Sequence, residues 1–373
     1  MSWLTDLLCK WFGLFCPEPP EPPPPPPPPS PPESPKINKI IACSCYDLTT
    51  CDGDVYKWLQ KIADIGASGC RFFVLQTWGQ EDRMDSFQPY PVIGTWYRPD
   101  INKNFPLFQL RKDDRPYWNE EWWAKYKAIL KEMKRLGLTA HIVGDDYCSL
   151  KKGKQDKYNH PYYCSLEALE DFDPPTPGGV WGEAMKKYRI DLYKRLIKEA
   201  RQIGVDFTFE VMNEYDAKGW DDEFMIEWHK WATEKVRKIY PKIKLIASAS
   251  RNAKEIAEQV DIYSCHGIVR PEKVDSVKEK WGDKKNLLIS GDGGFDGNGT
   301  ADAKGRKGAS PEQMRGIARK IYGYGYKGYE YFDRGLYRRN NSRANLNDFD
   351  DKALKALVDE CRKLENNVSK LSP

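Results

Sequence analysis

From Lys36 onward the sequence predicts an α/β fold: a (β/α)8 TIM barrel with long catalytic-face loops. Three observations lead there. Strand-like and helix-like patterns alternate eight times across about 338 residues, a length that suits one barrel with enlarged loops. Several helical stretches stop at a glycine just before the next strand, at Gly66, Gly137 and Gly204. No glycine-rich phosphate fingerprint follows the first strand, which counts against a doubly wound open sheet.

Two segments precede the barrel. In residues 1–16, Trp3, Leu7, Trp11 and Phe15 follow one another at i+4, flanked by Leu4, Leu8 and Phe12, so a helix there carries a broad apolar stripe. The segment is too short to span a bilayer, and Asp6 and Lys10 interrupt it. It lacks the basic start and the small-residue cleavage site of a secretion signal. Residues 17–35 contain 14 prolines, eight of them consecutive at 22–29. Such a tract adopts polyproline II and extends roughly 60 Å at about 3.1 Å per residue. A stiff spacer keeps the apolar helix from folding back, so residues 1–16 read as a docking element for another protein or for a membrane surface. The alternative is that they pack on their own barrel.

The strands are expected at residues 38–45, 70–76, 138–144, 206–212, 243–247, 261–265, 286–290 and 328–332. Between them lie amphipathic stretches at 55–65, 120–136, 183–203, 222–240 and 311–322. Two connections are long: residues 78–118, with Trp78, Trp96, Tyr97 and Trp118, and residues 145–181, with Tyr147, Tyr158, Tyr162, Tyr163 and Trp181. Long loops in a compact domain are often functional, and these two follow strands, on the face where barrel active sites form. Their rings could wall a polysaccharide groove or simply pack the loops onto the barrel.

Composition narrows the class. Hydrophobic residues make up 40% and charged residues 31%, so a packed core is expected rather than disorder. A net charge of +4, with bases and acids interspersed, is too slight to indicate nucleic acid. The ten cysteines show no metal-binding spacing. Without a secretion signal they read as reduced packing residues, Cys43 and Cys45 sharing one strand face, with a Cys148–Cys164 bridge as the alternative. The four histidines, His141, His160, His229 and His266, lack an HExxH arrangement. The acidic run at 296–302 begins like a calcium loop but lacks the sixth-position glycine and has Lys307 at the closing position, so it reads as a surface turn.

The segment Phe209-Glu210-Val211-Met212-Asn213-Glu214 is the chemical focus. It is a short apolar run that ends in an amide and a carboxylic acid, delivered where a barrel keeps its active site. A carboxylic acid can protonate a glycosidic oxygen while the amide holds a neighbouring hydroxyl.

With these residues in place, the domain from about residue 36 resembles the cellulase-type glycoside hydrolases of family 5 and its clan. Phe209–Glu214 is similar to that family's fourth-strand motif, which implies that Glu214 is the acid/base and that Asn213 binds the 2-hydroxyl. Residues 66–74 resemble the second-strand motif, with Arg71 supporting the nucleophile. His266 matches the sixth-strand histidine that faces substrate, and Trp78 is implied as a sugar contact. Residues 288–294 stand where the seventh strand presents the nucleophile.

The chain also departs from the family. Its nearest seventh-strand carboxylate is Asp292 where the family has Glu, about 1.5 Å shorter in reach. Asp292 is therefore expected to act as nucleophile or as base. The third-strand histidine is replaced by Asp145 or Asp146, Ile268 stands where the sixth strand carries an aromatic, and the eighth strand shows Glu330 rather than a tryptophan. Glu330 is a second nucleophile candidate.

The expectation is a retaining glycosidase of a β-linked polysaccharide, with no cofactor and no metal, displayed from a larger assembly by residues 1–16. One assembly that fits is a bacteriophage particle, whose proteins need no secretion signal; location at a virion or cell surface follows. The competing expectation is a carbohydrate-binding barrel that has lost its chemistry, with the altered seventh strand as the sign of loss.

Overall fold

The computed structural model describes residues 37–45, 48–49, 51, 53–75, 87–98, 102–147, 160–171, 182–214, 222–249, 254–291, 309–333 and 346–371. The expected anchor helix, the polyproline spacer, Trp78, Cys148, the 296–302 turn and Asp292 lie outside them.

Eight parallel strands close into a barrel: β1 (Ile40–Cys45), β2 (Gly69–Phe73), β3 (Thr139–Val143), β4 (Phe207–Glu210), β5 (Lys244–Ala249), β6 (Ile262–Cys265), β7 (Leu287–Ser290) and β8 (Gly328–Phe332). Each pairs with its neighbour in sequence, and β8 returns to β1 through Ile40↔Gly328 and Ser44↔Phe332. Closure removes the free edges that an open sheet would have. Helices follow the strands: α1 (Val55–Ile65), α2 (Glu120–Arg135), α3 (Glu183–Ile203), α4 (Asp222–Ile239), α5 (Lys254–Ala257), α6 (Pro271–Trp281), α7 (Pro311–Tyr324) and α8 (Lys352–Leu371).

The sequence sets the helix ends. Asp54 caps α1 by accepting from the backbone N–H of Tyr56 and Lys57. Ser310 and Gln313 form a reciprocal capping box on α7. Gly66 and Gly204 stop α1 and α3 in the left-handed conformation, at φ 104° and 72°, as their positions predicted. Helix α7 runs two residues past the expected end and stops at Gly325 by the same device, φ 71°.

Period-two alternation divides the strand residues between two cores. Ile41, Cys43, Cys45, Cys70, Phe72, Ile142, Phe209, Leu245, Tyr263, Ile289 and Tyr331 face outward and join the helices in one large apolar cluster. Cys43 and Cys45 do share that face, as buried packing residues. Burial raises the thiols of Cys265 and Cys361, each to about 12, which keeps them protonated. Inside the barrel, Ile246, Ile262 and Leu288 form a small separate cluster with Ile40 against it.

Above this floor the interior is polar. Alternation and register put Arg71 of β2, Glu210 of β4, Ser264 of β6 and Glu330 of β8 in one layer, four side chains from alternate strands. Barrel layers are usually filled by bulky branched residues. Here the middle layer carries three ionisable groups, with Arg71, Glu210 and Glu330 all 2% exposed or less.

The loop after β2, expected only as a long connection, carries secondary structure of its own. It contains an antiparallel pair, Val92–Arg98 with Lys103–Phe108, and a two-residue ladder, Arg111–Lys112 with Arg115–Pro116. Among the described residues no helix is long and apolar enough to cross a membrane.

Barrel closure generates a prediction. A Cβ on Gly328 would lie 1.9 Å from the Ile40 carbonyl oxygen, at the β8–β1 seam. Backbone cannot yield there without breaking the pairing, so Gly328→Ala should destabilise the protein at or above the upper end of the ~1–3 kcal/mol usual for overpacking. Chemical denaturation checks this, and an unchanged midpoint contradicts it.

Candidate active site

The C-terminal end of β4 delivers the candidate acid. Strand pairing stops at Glu210, the chain turns at Val211, and Asn213 forms an isolated bridge with Asp146. Glu214 follows with φ 47°, the left-handed region that a non-glycine residue rarely occupies. Such strain persists only where surrounding bonds impose it. They do so here: the Asn213 N–H donates to the Asp145 carbonyl (3.0 Å), the Tyr147 N–H to the Asn213 carbonyl (3.2 Å), and the Glu214 N–H to Ser248 Oγ (3.0 Å).

The side chain of Glu214 is 16% exposed, and its Oε1 lies 3.0 Å from His266 Nδ1. His266 follows β6 directly, so β4 and β6 bring the pair together across the barrel mouth. When Nδ1–H of His266 donates to Oε1, a protonated Glu214 carries its proton on Oε2.

Asn213 is held on both sides of its amide. Its Oδ1 accepts from Arg71 Nη2 (2.7 Å) and Ser248 Oγ (3.1 Å), while its Nδ2 donates to Asp146 Oδ1 (2.9 Å). Arg71 in turn donates through Nε and Nη2 to Glu210 Oε2, at 3.0 and 2.9 Å, and its Nη1 lies 3.2 Å from Glu330 Oε1. Its guanidinium carbon also sits 4.7 Å from the centre of the Phe73 ring. A planar guanidinium carries five donors in a fixed fork and can join three partners at once.

Several expected residues therefore occupy neighbouring seats: Arg71, Asn213, Glu214 and His266 lie in one connected network. Asp145 does not face that network with its carboxylate. It is fully buried, with Oδ1 3.1 Å from His160 Nε2 and Oδ2 2.8 Å from Arg189 Nε. Burial alone would raise its carboxyl, but Arg189 and His160 outweigh that and hold it below the usual range. Asp145 thus anchors the loop after β3, and Asp146 is the acid that meets Asn213. Glu330 is also deeper than a sugar contact requires: it sits mid-strand in β8, 1% exposed, against Arg71. Ser290, the last residue of β7, and Gly291 lead to Asp292.

The loop aromatics that are described serve packing. Tyr147 and Tyr162 are fully buried, Tyr163 nearly so, and Trp118 stacks on Tyr90 at 5.1 Å. Tyr97, 51% exposed on the hairpin after β2, is the exception among them.

Two participants escaped the sequence analysis. Glu210 was hidden in a run taken as apolar, although an acid at an inward strand position was a signal in itself. Ser248 lies one residue past the expected end of β5. Among the described residues, no group of three or more His, Cys, Asp or Glu is arranged to hold a metal ion.

No known protein family and no curated protein matches the sequence. Solved structures do match the fold. A candidate glycoside hydrolase from Bacteroides vulgatus superposes with a TM-score of 0.57 at 11% identity, over 88% of this chain and 57% of that one. The chain thus spans little more than half the length of that protein. An endo-1,4-β-mannanase from Rhizomucor miehei gives 0.55 at 10% identity, over 88% and 95%. A glycoside hydrolase family 5 mannosidase from the same fungus gives 0.54 at 14%, over 88% and 93%. At such identities the likeness is one of fold, and it is the barrel the sequence predicted.

The buried histidines set an acid limit. His141, beside Arg71 in the barrel, is drawn down from 6.5 to about 4 by burial and then by the Arg71 charge, and His229 to about 3 by burial. Below pH 6.5 the unfolded chain binds these protons first, so stability falls as pH falls, until about 4 for His141 and about 3 for His229. Each histidine contributes about 1.4 kcal/mol per pH unit in its window. Denaturation midpoints should therefore begin to drop below pH 6.5, above the carboxylate range; a flat profile from pH 6.5 to 5 contradicts this.

Proposed function

We propose that the chain is a glycoside hydrolase that cleaves a β-linked polysaccharide with two carboxyl groups. The observation that carries this is the strained, partly exposed Glu214, bonded to His266 at the C-terminal mouth of a closed barrel. Glu214 is the acid/base. His266 occupies its Oε1 and steers the proton to Oε2, which faces the glycosidic oxygen. Asn213 has its oxygen engaged by Arg71 and Ser248 and one amide hydrogen engaged by Asp146, so the second hydrogen of Nδ2 meets a sugar hydroxyl.

Asp292, two residues beyond the inward-facing Ser290, is the opposing acid. Direct attack on the anomeric carbon needs carboxyl groups about 5–5.5 Å apart, and a separation of about 6.5–9.5 Å makes room for a water instead. Trp78 is a sugar contact in the same scheme. Residues 1–16, beyond the proline-rich spacer, dock this head to a protein assembly or surface. The mannanase and mannosidase that share the fold put β-1,4-mannan at the head of the substrate panel.

Release of reducing sugar from a panel of β-linked polysaccharides tests the proposal. At least one should be cleaved, with Glu214→Gln lowering kcat by about 10²–10⁴-fold, the usual contribution of a positioned acid/base, and Asp292→Asn by a similar factor. Binding without release on every glycan supports a non-catalytic barrel, and release that survives Glu214→Gln rejects the assignment.

A further inference from the structure

Two acids of the charged middle layer, Glu210 and Glu330, belong to no step above. Arg71, Glu210 and Glu330 come from β2, β4 and β8, far apart in sequence, and meet in a space with almost no solvent. Their geometry is uneven. Glu210 presents one oxygen, Oε2, to both Nε and Nη2 of Arg71, while Nη1 turns to Glu330 Oε1 on the other flank. The guanidinium is thereby gripped along two edges. Through Nη2 the guanidinium also donates to Asn213 Oδ1 at 2.7 Å.

From this we infer that Glu210 and Glu330 are positioning residues that act through Arg71 on the Asn213–Glu214 pair. The inference rests on the hydrolase assignment for its kinetic meaning, although the clamp itself is a matter of geometry. Glu210 holds the Nε–Nη2 edge and Glu330 lies against Nη1, so each acid restrains a different part of the guanidinium. Two acids on opposite flanks fix both its plane and its rotation, and hence the direction of the Asn213 amide. With Oδ1 fixed by Arg71 and Ser248, Nδ2 must point at Asp146 and the mouth. The same assignment removes Glu330 from the list of nucleophiles. A nucleophile must come within about 3–3.5 Å of the anomeric carbon, and Glu330 is 1% exposed with Arg71 against its Oε1.

Full-length Glu330→Gln and Glu210→Gln, which keep side-chain size, test the clamp in two ways. Crystal structures of the variants should show the Arg71 guanidinium shifted toward the remaining glutamate and the 2.7 Å contact with Asn213 broken or lengthened. An unchanged contact in both variants overturns the inference, whatever the enzyme assays show. On the cleaved glycan each variant should lower kcat by about 10–100-fold, the scale of a 1 Å misplacement, with KM within twofold of wild type. In an Arg71→Met background, neither substitution should lower kcat further. Full independent losses there, unaltered kcat in both variants, or covalent labelling of Glu330 by a 2-deoxy-2-fluoro glycoside would each overturn it. Loss of the hydrolase assignment has a different signature, glycan release that survives Glu214→Gln.

Discussion

One guanidinium organises the interior of this barrel. Arg71 is 1% exposed, and the acids beside it on β4 and β8 are equally shut from water. Isolated charges in such a place would be prohibitive, and removing one partner of a buried pair typically costs about 3–5 kcal/mol. The arrangement persists because Nε and Nη2 of Arg71 hydrogen-bond Glu210 and Asn213, because Nη1 lies 3.2 Å from Glu330, and because closure of the strands holds all three charged side chains in one layer. A layer of branched aliphatics would serve stability as well or better. What the charged layer adds is direction, since the Arg71 fork reaches the Asn213 amide and, through it, the residue whose backbone is strained.

A second buried ionic group does comparable work for the loops. Asp145 joins His160 in the loop after β3 to Arg189 of α3, and Arg189 lies between the Tyr162 and Trp228 rings at 4.4 and 5.3 Å. The Asp145 carbonyl also receives the Asn213 N–H, so the loop anchor and the acid-bearing turn share one backbone bond. From there the chain runs to Cys164 and Ser165, which pair with Phe108 of the hairpin, and to Glu167, whose carboxylate accepts from the N–H of Leu110 and Arg111. The two long loops are thus tied to each other and to the site.

Much of this was legible in the residues themselves. Short strand-like runs alternating with amphipathic stretches, and glycine stops at Gly66 and Gly204, located all eight strands, because those signals are local. Arg71, Asn213, Glu214 and His266 stood out together through the resemblance of their segments to the second-, fourth- and sixth-strand motifs of family 5. What could not be read was pairing across the barrel. No local pattern says that Arg71 faces Glu210 and Glu330, since that depends on the stagger of strands more than a hundred residues apart. Nor does sequence tell which of two adjacent acids turns inward; Asp145 went to Arg189 and Asp146 to Asn213 because successive side chains point opposite ways. The ordered hairpin at 92–108 was missed because its first strand is largely exposed, at Val92, Ile93 and Tyr97, and burial is concentrated at Phe105 and Phe108 of the second.

The central claim is that Glu214 is the proton donor at a sugar-binding mouth. The most direct measurement is a crystal structure of the Glu214→Gln protein with a β-1,4-linked oligosaccharide bound. The account predicts a glycosidic oxygen within about 2.6–3.2 Å of the residue 214 side chain, with the Asp292 carboxyl on the opposite side of the sugar ring. An oligosaccharide seated away from residue 214, or one with no second acid across from it, would contradict the account.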